Sequence, residues 1–410
     1  MREGSQRTRT TYLYELWRSG AAGILETAGS TFLLTIAVKQ FSAGALAKAT
    51  VAGSGSLGLL LSPVLVSIVT SAGWPTSLAA SRVLAIGAIS FLMAAMVPDL
   101  PIFILCSVLG MAAGAAVIPL LTQMYQDNYP EKERGRLFSR TVMIRIAMAA
   151  LFSKLAGDAL DGHIDRYRWL MLVFAIALAL ASFCLSRCPT EPIPHDGGAH
   201  PFRAMRFVRD DPLFRRTLIC WMLMGFGNLM MLPLRIEYLA NPKYSHAVGV
   251  EMIALLTGVI PNLARLVLSP IWGCLFDRMN FFVLRVTLNI GFGIGILAFF
   301  TSNSITGMII GAIIFGISNA GGDVAWSLWV TKFAPPGRVA DYMSVHTFLT
   351  GVRGVLAPMF AFYFATKLSL GILAAISSGL IVLATLLLLP EIKWGRKARR
   401  GAALVEEISE

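Results

Sequence analysis

Twelve apolar stretches follow one another along the chain and take up nearly all of its 410 residues. They cover residues 20–42, 49–71, 79–97, 101–124, 137–157, 168–186, 215–237, 250–275, 281–301, 304–331, 340–366 and 369–389. At ~1.5 Å of rise per helical residue, each is long enough for the ~30 Å hydrocarbon core of a bilayer. Soluble core helices are shorter and carry polar faces, so the pattern predicts an all-α integral membrane protein with 12 transmembrane helices. Composition agrees, because 56% of residues are apolar and only 14% charged.

The 35 Lys and Arg residues are spread unevenly around these spans. Most fall in the N-terminal tail, the even-numbered connections and the C-terminal tail. Examples are Arg2, Arg7, Arg9 and Arg18, then Lys132, Arg134, Arg136 and Arg140, then the arginines between Arg187 and Arg216, and finally Lys393 to Arg400. Basic residues mark the cytoplasmic side, so both termini are expected in the cytoplasm and the protein in the cell (inner) membrane as a multi-pass chain. This orientation signal also accounts for the formal charge of +12 without a basic groove interleaved with aromatics, which removes nucleic acid as an expected partner. The first stretch begins near Gly20 and has no small-residue cleavage site behind a short apolar region, so it reads as a retained span. Cys106, Cys184, Cys220 and Cys274 lie in spans and Cys188 follows the sixth, leaving none placed for an external disulfide. No metal-ligand spacing occurs, and neither a metal nor a cofactor is expected.

The connection over 188–214 is rich in Pro, Gly and Arg and divides the spans six and six. The expected organisation is therefore a bundle over 1–187, a cytoplasmic linker over 188–214, a second bundle over 215–390 and a cytoplasmic tail over 391–410. Two local matches suggest duplication. Leu60, Leu61, Ser62 and Pro63 in the second span correspond to Val267, Leu268, Ser269 and Pro270 in the eighth, and Pro130 with Arg134-Gly135-Arg136 corresponds to Pro336-Gly337-Arg338. Halves that each start and end in the cytoplasm share one orientation, related by an axis along the membrane normal.

Charge inside the spans is rare: Glu26, Arg145, Arg265, Asp323 and Arg353. Each costs at least ~2.5–3.5 kcal/mol in hydrocarbon, so these residues are expected to face a bundle interior or a wet cavity. The first four lie ~9–15 Å in from the cytoplasmic helix ends and Arg353 ~21 Å. Spans three, six, nine and twelve carry little polarity beyond Arg82 and Asn289 and are expected to face lipid.

The segment Gly273, Cys274, Leu275, Phe276, Asp277, Arg278, followed by Arg285, resembles the signature loop of the major facilitator superfamily of secondary transporters. The resemblance extends over nearly the whole chain. It implies two pseudo-symmetric six-helix bundles, alternating access, a monomer, and a gating latch in which Asp277, with Gly273 and Arg278, bridges to Arg136 and Arg140 at the start of the fifth span. The corresponding loop of the first half, from Ser71 to Ser77, lacks the Asp-Arg pair. The fifth span reads Met143 to Leu151 without the Gly-Pro pair usual in drug/proton antiporters, which argues against that branch.

The leading expectation is a proton-coupled transporter of a small polar solute, with anions among the candidates. Arg145, Arg265 and Arg353 would grip the solute through their planar donor forks, with Asn228, Asn262, Asn319, Asp323 and Trp326 lining the cavity. Glu26, Asp323 or His346 would exchange the proton. Each has a plainer alternative: Glu26–Arg145 and Asp323–Arg265 as ties between helices, Trp326 and Trp329 as interface anchors, and His346 as a packed core residue. The runner-up function is multidrug efflux by proton antiport, with Glu26 selecting lipophilic cations. No phosphate-binding loop, nucleophile motif or ion filter stands out, which sets aside a membrane-embedded enzyme, a sensor or a channel.

Overall fold

The computed structural model of the chain describes residues 2–192, 205–244, 246–302, 304–332 and 339–398. Most of the expected linker (193–204), the Pro336-Gly337-Arg338 element and the tail from 399 lie outside the described residues, as do the side chains of Arg136 and Asp277.

Twelve helical spans follow in chain order. Span 1 runs Arg2–Thr27, widens through a π-helical turn Ala28–Phe32 and continues as Leu33–Lys39; span 2 is Ala45–Ala52 with Ser54–Ser71, and span 3 is Thr76–Met96. Span 4 is Leu100–Ala116 with Ile118–Asn128, span 5 Glu131–Leu160 and span 6 Tyr167–Ser186. Span 7 is Pro212–Ala240, span 8 Val250–Ala254 running through a π turn Leu255–Val259 into Ile260–Arg278, and span 9 Phe281–Thr301. Span 10 is Ile305–Leu328, span 11 Val339–Ala365 and span 12 Leu370–Ala398. Eleven are long and apolar enough to cross a membrane. Span 5 is also long enough, at 30 residues, but charges such as Arg145 and Lys154 dilute its apolar run.

Proline punctuates the spans as helix sterics require. Span 4 breaks just before Pro119, whose missing N–H costs nothing at the start of the second piece. Pro63, Pro233, Pro270, Pro358 and Pro390 lie inside helices, which spanning helices tolerate where neighbours re-satisfy the freed carbonyls.

The chain divides into two compact units: Met1–Pro201 with Ile236–Val259, and Phe202–Arg235 with Ile260–Glu410. The first thus includes the hairpin that joins spans 7 and 8. Its core gathers Phe32, Phe91, Phe103, Tyr167 and Phe174; the second buries Phe214, Phe282, Phe299, Trp329 and Phe362. Side chains on one face of spans 3, 6, 9 and 12 remain exposed, among them Ile86, Ile89, Ile176, Phe183, Ile290, Ile294, Val382 and Leu386. These are the faces expected against lipid. Asn289, the one amide of that set, points inward and donates to Thr385 across spans 9 and 12 at 3.1 Å.

Candidate functional site

In the first unit, span 1 meets span 5 so closely that a Cβ on Gly23 would collide with the Arg145 carbonyl. This approach brings Arg145 Nε to 3.2 Å from Glu26 Oε2, in an ion pair rather than an aligned hydrogen bond. Both side chains remain partly open, Arg145 at 36% and Glu26 at 26% exposure. The π turn that starts at Ala28, two residues beyond Glu26, shifts the register of span 1 and points Thr31 at Thr257, 3.0 Å away.

In the second unit, span 10 is drawn onto span 8 where a Cβ on Gly316 would meet the Pro261 carbonyl at 2.6 Å. Arg265 on span 8 donates to Asp323 Oδ2 on span 10 through Nε at 3.0 Å and Nη2 at 2.7 Å. Its Nη1 donates to Asn262 Oδ1 at 2.6 Å, one turn away on the same helix. The Arg265 side chain is 6% exposed and that of Asp323 37%. The guanidinium is therefore locked in a fixed donor fork while the carboxylate stays reachable. Asn319 and Trp326 flank Asp323 along span 10 and are half-buried, but join none of these hydrogen bonds; Asn228 is half-buried with its amide oxygen unpartnered.

The remaining intramembrane candidates assemble elsewhere in the second unit. The Arg353 Nη1 donates to the Trp221 carbonyl, an approach made possible by the bare Cα of Gly225. His346 is fully buried, its ring 5.3 Å from that of Trp221, 5.6 Å from Trp326 and 5.1 Å from Trp329. Among the described residues, neither of its nitrogens has a hydrogen-bond partner. Trp329 is also fully buried and stacks on Phe214, so it is a core residue rather than an interface anchor. Of the latch residues, Arg140 and Arg278 are exposed and Gly273 half-buried, while the side chains of Asp277 and Arg136 lie outside the described residues.

Several charged groups escaped the sequence reading because they flank or end the apolar stretches. Arg18, assigned there to the N-terminal tail, lies within the span 1 helix and pairs with buried Glu15, which also accepts from Tyr125 at 2.5 Å. Lys48 Nζ reaches Glu237 at 2.6 Å, both nearly buried, and Lys154 reaches Glu251 at 2.6 Å and Asp158 at 2.8 Å. Arg235 lies buried over Phe315, 3.6 Å from its ring centre. Arg285, read as part of the signature loop, is buried within span 9 with its guanidinium 3.6 Å over the Trp221 ring. Arg18–Glu15 and Lys154–Asp158 are pairs within one helix, but the partners of Lys48, Arg235 and Arg285 come from distant helices, which no spacing rule marks.

A family profile described as Major Facilitator Superfamily matches residues 78–259. No curated protein matches the sequence. Among solved structures, a variant of the nucleoside transporter NupG is similar with a TM-score of 0.75 at 14% identity, over 93% of this chain and 99% of that one. A D-xylose-proton symporter follows at 0.67 and 16%, over 93% of this chain and 96% of that one. A bacterial homologue of the human lysosomal transporter Spinster, inward-facing and occupied, gives 0.67 and 14%, over 95% and 97%. At such identities the likeness is one of fold.

Proposed function

We propose that this chain, which is similar over residues 78–259 to the Major Facilitator Superfamily profile, is a membrane-embedded secondary transporter of that superfamily rather than an enzyme, and that its solute is a small polar organic molecule bound at the Arg265–Asp323 centre. The observation that carries this reading is the asymmetry of that pair. A guanidinium locked by two carboxylate bonds and an amide presents a rigid edge, and a reachable carboxylate beside it accepts hydroxyl or N–H donors of a solute. Trp326, three residues beyond Asp323, supplies an apolar face for a sugar or a heterocycle. Similarity of fold to a nucleoside transporter and to a xylose-proton symporter fits a solute of that polarity. An acid group on the solute would be drawn to the arginines.

In this reading, coupling is to protons. Glu26 and Asp323 are carboxylates that stand in ion pairs with Arg145 and Arg265. Any step of alternating access that parts a carboxylate from its arginine raises its proton affinity, which links proton and solute movement. Multidrug efflux is the weaker reading, because Arg145 already occupies the carboxylate that a lipophilic cation would need. The chain would act as a monomer in the inner membrane with both termini cytoplasmic, in keeping with its basic connections.

The test is uptake into proteoliposomes of sugars, nucleosides, carboxylates and lipophilic cations, with and without an imposed pH gradient. Uptake of a polar solute that is lost in Arg265→Gln supports the site. If Glu26→Gln or Asp323→Asn removes pH-driven accumulation but leaves solute exchange, that carboxylate carries the proton. Uptake confined to lipophilic cations and lost in Glu26→Gln would replace this reading with drug efflux.

A further inference from the structure

We propose that the first unit, at the end where span 3 begins and span 6 ends, offers two neighbouring positions for the phosphate heads of anionic phospholipids, one at Arg82 and one at Arg187. Both arginines are exposed, and each lies over an aromatic ring of its own segment. Arg82 stands 4.7 Å from the Trp74 ring centre and Arg187 5.1 Å from that of Phe183. The two segments are tied together. The Ser77 hydroxyl donates to the Cys188 carbonyl at 2.8 Å, the Ser77 N–H to Thr190 Oγ1 at 3.0 Å, and the Ser81 and Ser182 hydroxyls lie 3.1 Å apart. Span 1 joins them through Tyr14, whose ring is 6.4 Å from that of Phe183, and three residues on it presents Trp17, 65% exposed.

Each arginine ends an exposed apolar stripe. Ile86, Ile89 and Met93 follow Arg82 along span 3, and Ile176, Leu180 and Phe183 precede Arg187 along span 6. A cation at the end of a lipid-facing stripe stands at headgroup depth. The ring beneath it takes the face of the guanidinium and leaves the in-plane N–H edge to a second partner. Among the described residues, no ion pair or hydrogen bond uses that edge in either arginine. Of the acids described at these helix ends, Glu191 accepts from Arg7 at 2.7 Å and Glu15 is buried against Arg18. The far end of span 6 is different, since Arg168 there donates to the Ala95 and Met96 carbonyls at 2.7 and 3.2 Å. A phosphate presents two oxygens to the planar fork, which suits it as the missing acceptor. A lipid fits better than a free anion, because its acyl chains cover the stripe while its phosphate meets the arginine.

This inference rests on membrane embedding and not on the solute proposed for Arg265 and Asp323, which lie in the other unit. It is tested on the purified full-length protein in a neutral detergent, with no transported solute present. Dioctanoyl phosphatidylglycerol, dioctanoyl phosphatidylcholine or glycerol phosphate is titrated in while the melting temperature is followed. Saturable stabilisation by phosphatidylglycerol alone is expected, with an apparent Kd about fivefold weaker in Arg82→Gln and in Arg187→Gln and weaker again in the double variant. Exposed Arg166→Gln, at the opposite end of span 6, should leave it unchanged. Should the variants fail to fold, the wild-type protein in nanodiscs serves instead. Brominated phosphatidylglycerol should then quench its tryptophan fluorescence more than brominated phosphatidylcholine does. Equal stabilisation or equal quenching by the two lipids, or phosphatidylglycerol titrations equal in wild type and both variants, would overturn the proposal. Saturation by glycerol phosphate at the same concentrations would overturn the lipid assignment and leave a site for a free phosphate.

Discussion

Arg265 and Arg285 are the same side chain in neighbouring apolar helices, and their surroundings separate them. Arg265 satisfies its fork on Asp323 and Asn262, whereas Arg285 has an indole face and, among the described residues, no acceptor for Nη1 or Nη2. Replacing Arg265 with Gln strands the Asp323 carboxylate, and we expect a loss of ~1–3 kcal/mol alongside the loss of uptake, read as a fall in melting temperature. A charge-neutral double variant, Arg265→Gln with Asp323→Asn, should recover much of the stability without recovering uptake; recovery of both would reduce the pair to a structural tie. Cysteine chemistry gives a second residue-scale test. Burial pushes the Cys188 thiol up to about 12, while Cys274 is exposed. Cys188 therefore stays protonated when folded, whereas the unfolded chain releases its proton near ~8.5, so its contribution to stability is complete below that pH and declines from there towards 12. Iodoacetamide at pH 8 should label Cys274 readily and Cys188 only after denaturation.

At the scale of helices, two contacts decide where charges meet. The close approach of spans 1 and 5 at Gly23 is what allows Glu26 to reach Arg145. Gly23→Val should force the helices apart at a cost of ~1–3 kcal/mol and lower the yield of folded protein. Gly55→Val, where an added Cβ meets nothing, should not; equal effects would mean that helix propensity, not packing, is at work. The hairpin between spans 7 and 8 is fastened inside the first unit by Lys48–Glu237, with Asn241 adding a 2.7 Å bond to Glu237. Glu237→Ala leaves a nearly buried ammonium without its carboxylate and should cost ~3–5 kcal/mol. Adding Lys48→Met to that variant should restore part of it, as measured by thermal melting.

For the whole molecule, orientation is the property that the loop charges speak to. Fusion of a fluorescent protein at the C-terminus should fluoresce, and alkaline phosphatase fused there should be inactive, with the reverse for fusions in the loop at Pro242–Tyr244. An active phosphatase at the C-terminus would invert the topology. The twelve spans were legible because hydrocarbon imposes a length and an apolarity on each helix, and span 9 was read at its observed bounds, Phe281–Thr301. Span 1 was read from Gly20 although its helix begins at Arg2, since a helix that continues out of the apolar layer carries no hydropathy signal. Within the site, Glu26, Arg145, Arg265 and Asp323 stood out as charges in apolar runs, and the pairs weighed for them are those that form. Arg235, Glu237 and Arg285 did not, because near the end of a span a charge costs little and attracts no notice until a neighbouring helix buries it.

Sequence by itself determined the class of the protein and the number and order of its helices, because those depend on the local balance of apolar and polar groups against a bilayer. Tertiary structure alone decided which buried charges find partners. Lys48 and Glu237 are joined across most of the first unit's length in sequence, and Arg285 and Arg353, from two different helices, both contact Trp221 on a third. Such meetings are set by close approaches at Gly23, Gly225 and Gly316, where the missing side chain lets two helices or an arginine come within contact, and no single stretch of sequence records what stands on the other side.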